Sequence, residues 1–138
     1  MNKKLFYPAI FEEEEVGYSV CFPDIQGCIT EGDTMEEAFD MAKDALGLNI
    51  SYMRDTREDI PQPSKPTDIE VTKGQSVVIV ELDYAEYLRK NEAKAVKKTL
   101  SIPSWLNEEA TIAGVNFSQV LQEALMLKLE ASQKQNRI

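Results

Sequence analysis

Residues 94–130 constrain the fold most. Ala95-Val96-Lys97-Lys98-Thr99-Leu100-Ser101-Ile102 reads as one short basic strand, stopped by Pro103 and followed by two short helices hinged at Gly114. A lone strand leaves its N–H and C=O groups without partners inside its own domain, and unpaired edges are costly or sticky. The segment therefore needs a second chain. Leu100 and Ile102 share the face that can pack on the helices, which puts Lys97, Thr99 and Ser101 together on the other. Ser104 is placed to cap the first helix, in which Trp105, Leu106, Ala110, Ile112 and Ala113 include the core-facing positions. Gly114 supplies a left-handed stop. Asn116 then caps a second helix with Gln119 three residues on, and Phe117, Val120, Leu121, Ala124, Leu125 and Leu129 form its apolar stripe.

Charge divides the chain at the same place. Residues 1–92 carry 20 acidic and 9 basic side chains, against 4 and 6 in residues 93–138, within a net charge of −9. An acidic surface repels phosphate, so the chain does not coat nucleic acid non-specifically, and any such work falls locally to the basic tail. Arg89, Lys90, Lys94, Lys97 and Lys98 cluster at the junction; a solvated linker is the plainer reading of that cluster.

A chain of 138 residues with 43% hydrophobic content can bury one core of 80-odd residues and carry a small appendage that dimerises. No apolar run approaches the ~18–20 residues of a membrane span, and Met1-Asn2-Lys3-Lys4 leads into a proline-interrupted strand rather than a signal peptide, so the expectation is a cytoplasmic protein with no membrane partner. Cys21 and Cys28 read as small buried hydrophobes before they read as a bridge. Histidine is absent, which removes the commonest general base and metal ligand. Chemistry here would rest on carboxylates and a divalent ion.

In the acidic part, Leu5–Phe11 looks like a strand that Pro8 pushes to an edge position. Glu12, Glu13, Glu14 and Glu15, followed by Gly17, form a hairpin turn into Tyr18–Phe22, where Tyr18, Val20 and Phe22 share a face. Pro23–Gly27 makes the next turn, into a short strand at Cys28–Glu31. Thr34 can cap a helix while Glu37 reaches back to the Thr34 amide, a capping box. Met35, Ala38, Phe39, Ala42, Ala45, Leu46, Ile50 and Met53 then recur at three- and four-residue steps, leaving Glu36, Asp40, Lys43 and Asp44 to water, in a helix that ends near Arg54. Pro61, Pro63 and Pro66 punctuate a loop, and Ser76–Leu82 is the nearly continuous apolar run of an interior strand. The β-β-β-α-β order predicts an α+β fold with the helix on one face of a sheet.

The run Tyr18–Leu46, with Phe22-Pro23-Asp24, Gln26-Gly27-Cys28, Thr30-Glu31-Gly32-Asp33-Thr34 and Glu36-Glu37-Ala38, resembles the N-terminal domain of HicB-type antitoxins over residues 5–83. The resemblance implies a degenerate, catalytically dead ribonuclease H-like domain that binds a small messenger-RNA-cleaving toxin, HicA, of double-stranded-RNA-binding fold. A partner that grips RNA is basic, and an acidic domain speeds its encounter and competes for its phosphate-binding face. Glu12, Glu13, Glu14, Glu15, Asp24, Glu31 and Asp33 are the candidate toxin contacts, each of which could equally be a solubilising charge. A two-metal nuclease needs acids from separate elements converging in a cleft. Asp24, Glu31 and Asp33 instead lie close together along the chain in and beside turns, so no catalytic residue, metal or cofactor is expected.

Leu100-Ser101-Ile102-Pro103 and Gly114-Val115-Asn116-Phe117-Ser118 are similar to ribbon-helix-helix DNA-binding domains over about residues 95–131. That family pairs two strands antiparallel and lays the ribbon in the major groove, whose width admits it. The resemblance implies Lys97, Thr99 and Ser101 as base readers, phosphate contact for Lys94 and Lys98, and a phosphate clamp from the amides of Asn116, Phe117 and Ser118 at the helix start. The family often shows Arg or Ser where this chain has Asn116 and Phe117, so the backbone carries the clamp. Trp105 and Phe117 read as core rather than base-stacking residues.

The expected organisation is a toxin-binding domain at 1–83, a linker at 84–93 that can be helical, and a β-α-α ribbon-helix-helix domain at 94–138. The expected partners are a HicA-like toxin, operator DNA with an inverted repeat, and a second copy of the chain, with further pairing to a tetramer open. Two other functions stay open at this point: a transcriptional regulator sensing something other than a toxin, and a Mg²⁺-dependent nuclease.

Overall fold

The computed structural model describes residues 4–135, which pack as two units divided between Ala95 and Val96. The first unit contains β1 (Lys4–Glu13), β2 (Tyr18–Cys21), β3 (Ile29–Gly32), α1 (Met35–Thr56), a short 3-10 turn at Pro66–Asp68, β4 (Gln75–Asp83) and α2 (Tyr84–Asn91). It is a mixed α+β unit with an antiparallel sheet in the order β3-β2-β1-β4. Alternation along β1 sends Tyr7, Ala9 and Phe11 to one face, where Val20, Val80 and Leu82 join them. Ala38, Ala42, Leu46 and Ile50 of α1 close the core over that face.

Strand order departs from expectation twice. Pro8 predicts an edge strand, yet β1 lies between β2 and β4. The reason is local: β2 pairs only with Ile10–Glu13, so around Pro8 the strand has β4 as its single ladder partner and no donor is missed on the other side. Ile60–Pro63 lies alongside there, and the Tyr7 hydroxyl donates to the Pro61 carbonyl. Conversely, the Ser76–Leu82 run predicts an interior strand, but β4 is an edge and Ile79 is 52% exposed. Val78, Val80 and Leu82 pack on the core while Ile79 on the other face does not, so the apolar run reflects one packed face and strand-forming residue types rather than a neighbour on each side.

α1 forms as its cap dictates. The Glu37 N–H donates to Thr34 Oγ1 at 3.1 Å, while the Glu37 carboxylate accepts from the Asp33 amide rather than that of Thr34. Met35, expected in the core, is exposed at the first turn. The helix runs two residues past Arg54 and ends at Arg57, in the left-handed region with φ 57°. Residues 84–93, expected as a linker that can be helical, contain α2, capped by Asp83. Tyr84 is buried, its hydroxyl 3.0 Å from that of Ser51. Arg54 donates to the same Tyr84 oxygen and to both carboxylate oxygens of Glu92, tying the end of α2 to the end of α1.

The second unit contains α3 (Ser104–Ile112) and α4 (Phe117–Gln135). Ser104 does not cap α3; Pro103 holds the cap position, its carbonyl accepting from Asn107, and Ser104 is already helical. Gly114 takes φ 72° and ends α3, and Asn116 Oδ1 accepts from the Gln119 amide at 3.1 Å to start α4. Residues 92–103 carry no helix and no ladder within the single chain.

Candidate functional site

The candidate toxin contacts fall into two groups. Glu12, Ser19 and Glu31 stand in register across β1, β2 and β3, on the sheet face opposite Phe11 and Val20. Cross-strand neighbours lie ~4.5–5.5 Å apart at Cβ. Glu13, Glu14 and Glu15 continue from the same end of the sheet, where Glu14 accepts from the Ser19 hydroxyl at 3.0 Å, and Asp33 follows β3 there. These six carboxylates form one acidic end. Asp24 lies at the other end of β2 and β3, in their connection, where its carboxylate accepts from both the amide and the hydroxyl of Ser64. It fastens the proline-punctuated loop to the β2–β3 turn, a bond across 40 residues that no local pattern announces. Burial, and then the Asp24 charge, raise the pKa of the Tyr7 phenol, which keeps its proton for Pro61.

Two further features were outside the sequence reading. A groove of about 560 Å³ is lined by Lys4, Lys43 and Lys90 with Asp40, Asp44 and Glu86 among others. Lys4 pairs with Glu81 and Lys90 with Glu86, so it offers no free basic patch. Among the described residues, no three His, Cys, Asp or Glu side chains gather closely enough to hold a metal ion. Met41, Leu48 and Tyr52 are exposed large apolar side chains of α1. They lie off the buried stripe, and their seven- and four-residue spacing was the signal available for them. Both cysteines are free; burial, then the neighbouring Cys21, pushes the Cys28 thiol up to about 11.

Of the candidate DNA contacts, Lys94 lies at the end of the first unit and Lys97, Lys98, Thr99 and Ser101 open the second, all exposed. Phe117 and Ser118 open α4 behind the Asn116 cap, so their amides lie at the positive end of a 19-residue helix. Among the described residues of this unit none is buried, and Trp105 is 62% exposed. The apolar positions expected to form its core have no cover in one chain.

The profile of the HicB-like antitoxins of bacterial toxin–antitoxin systems matches residues 7–127. Antitoxin HicB 2 of Photorhabdus laumondii is 44% identical over 80 residues, 58% of this chain. That match covers 52% of the relative, so the chain spans about half the length of this curated relative. A solved chain from a toxin–antitoxin complex of Streptococcus pneumoniae is 27% identical with TM-score 0.59, covering 91% of this chain and 99% of its own. A chain of a HicA3 and HicB3 toxin–antitoxin complex is 25% identical with TM-score 0.51, covering 57% of this chain and 99% of its own. Among the described residues, no helix is long and apolar enough to cross a membrane.

Proposed function

The chain belongs to the HicB-like antitoxins of bacterial toxin–antitoxin systems, and we propose that it neutralises a HicA-type ribonuclease toxin by occlusion and represses its own operon. The first unit is the toxin-binding part. Glu12, Glu13, Glu14, Glu15, Glu31 and Asp33 attract a basic RNA-binding surface, with Asp24 at the far end of β2 and β3 already engaged by Ser64. The second unit pairs with its copy as a ribbon-helix-helix dimer. Lys97, Thr99 and Ser101 then face the bases, Lys94 and Lys98 the phosphates, and the amides at Asn116, Phe117 and Ser118 clamp a further phosphate. No residue is assigned to catalysis.

One observation carries the reading: an acidic folded unit is joined to a unit whose apolar side chains lack cover in a single copy. Separate units predict separable functions. Lys97→Ala and Thr99→Ala are expected to weaken operator binding in gel shifts while toxin pull-down is retained. Residues 1–95, which include the Tyr84 packing that a fragment ending at 83 would lose, are expected to bind toxin and not DNA. Unaltered operator affinity in both variants removes the base-reading assignment, and a 1–95 fragment that leaves the toxin free to cleave RNA removes the division of labour.

A further inference from the structure

We propose that the outward flank of α1, built on Met41, Leu48 and Tyr52 between Glu37 and Asp44, docks a protein surface that is apolar at its centre and basic at its rim. The inference rests on the antitoxin reading, under which that surface belongs to the toxin.

Helical geometry makes the three apolar residues one feature. Met41 comes four residues after Glu37 and three before Asp44, and Leu48 and Tyr52 follow at four-residue steps from Asp44, so all five share a face. The line from Met41 to Tyr52 is about 16 Å long at the helical rise. It lies beside the stripe of Ala38, Ala42, Leu46 and Ile50 that closes the core, and it does not contribute to that core. Leu48 is 64% and Tyr52 62% exposed. Single exposed apolar residues need no explanation, but a row at helical spacing is the pattern a groove reads from a helix.

Charge selects the occupant. The helix has two cations, Lys43 and Arg54. Lys43 lies 5.1 Å from the centre of the Phe39 ring, and Arg54 is held by Glu92 and Asp55. Asp44 also lines the groove shared with Lys4, Lys43 and Lys90, but Lys4 and Lys90 are paired with Glu81 and Glu86, so the charges of the flank itself are acidic. A second copy laid against it would bring two net-acidic flanks together, which disfavours self-association there. Nucleic acid would be repelled. A basic surface gains on both counts, and the flank is continuous with the acidic end already described, because Glu37 accepts from the amide of Asp33.

The test is a titration of co-expressed, separated HicA-type toxin onto the full-length chain carrying Leu48→Asp, Leu48→Ala, Tyr52→Ala or Asp44→Lys. Ile79→Asp on the exposed sheet edge serves as the comparison. The helix-flank variants should bind toxin at least about tenfold more weakly, as removal of a central contact does, with the far-UV helical signal, the thermal midpoint and operator binding retained. Asp44→Lys should lose most of its deficit at high salt. Wild-type toxin affinity in Leu48→Ala and Tyr52→Ala together, or loss in Ile79→Asp alone, overturns the inference and leaves the antitoxin reading standing. A smaller oligomer in Leu48→Asp with toxin binding intact makes the occupant a second copy and also overturns it. A wild-type chain that leaves the toxin unbound removes both.

Discussion

Gly47 is the position where two local preferences oppose each other. It is buried within α1 against Tyr87 of α2. A helix-interior glycine is worse than alanine by about 1 kcal/mol, so propensity alone predicts that Gly47→Ala stabilises the first unit. Packing predicts the reverse. A Cβ at Gly47 would stand 2.4 Å from Tyr87 Cδ2, 2.5 Å from Cε2 and 2.8 Å from Cγ, about 1 Å inside ordinary carbon contact. Rotation of the ring cannot relieve a contact with Cγ. The ring also lies nearly parallel to Tyr84, at 6.1 Å and 13°, and the Tyr84 hydroxyl is held by Ser51 and Arg54. Overpacking of this kind costs ~1–3 kcal/mol. The two effects leave a net loss of about 1 kcal/mol, a fall of about 4–8 °C in the midpoint of a unit this size. Tyrosine near-UV circular dichroism follows it cleanly, because all 5 tyrosines lie in residues 1–95 and the 1 tryptophan does not. With the ring removed by Tyr87→Ala, the same Gly47→Ala change should instead stabilise by about 0.5–1 kcal/mol. A Gly47→Ala variant that melts higher in the native background, or shows the same shift in both, refutes the argument.

Three further outcomes are expected. With its thiol pushed up to about 11 by burial and by Cys21, Cys28 carries little of the reactive thiolate at pH 8; native-state alkylation followed by mass spectrometry should leave it unmodified, with reactivity rising as pH approaches 11. Asp24→Ala removes both acceptors from Ser64, so amide exchange should quicken through residues 60–66 at a stability cost of about 1 kcal/mol, and the Tyr7 phenol should titrate lower once that charge is gone. Unchanged exchange at Ser64 would show that the tether does not hold the loop. Trp105 emission should shift to the blue with rising concentration as pairing covers the ring; emission that is the same over several decades of concentration contradicts pairing through α3 and α4.

What was legible in the sequence was local. Thr34 and Asn116 cap their helices from three residues away, and Gly114 stops α3 by its own backbone freedom. These are short-range bonds that a few residues determine. Helix α1 kept its buried stripe because a helix exposes its periodicity within one element. Local expectations miss by a residue at the Ser104 cap and at Met35, and the larger departures concern neighbours in the plane of the sheet. Pro8 predicts an edge and the Ser76–Leu82 run a centre, yet β1 is central and β4 is the edge. Only the reach of β2, which stops opposite Ile10, explains why Pro8 is tolerated. The candidate site divides in the same way. Its charge was visible in composition, but the engagement of Asp24 by Ser64 was not, and the exposed flank of α1 emerged only when the stripe that packs was separated from the one that does not.

The two units differ in what they need before they can act, and under the proposed function that difference orders events. The first unit has a core of its own, from Tyr7 to Tyr84, and can hold an acidic surface in one copy. The second has none among its described residues, so its stability is tied to pairing and hence to concentration. Operator binding requires two chains together, whereas occlusion of a toxin requires one. As the chain becomes scarce, the population of dimers falls faster than the population of chains. Repression is therefore released while toxin is still held, and new antitoxin is made before the ribonuclease escapes. Under the proposed function, a segment that forms a strand only with its copy, placed after an acidic domain that can stand alone, is sufficient to produce that order without any contact between the two sites.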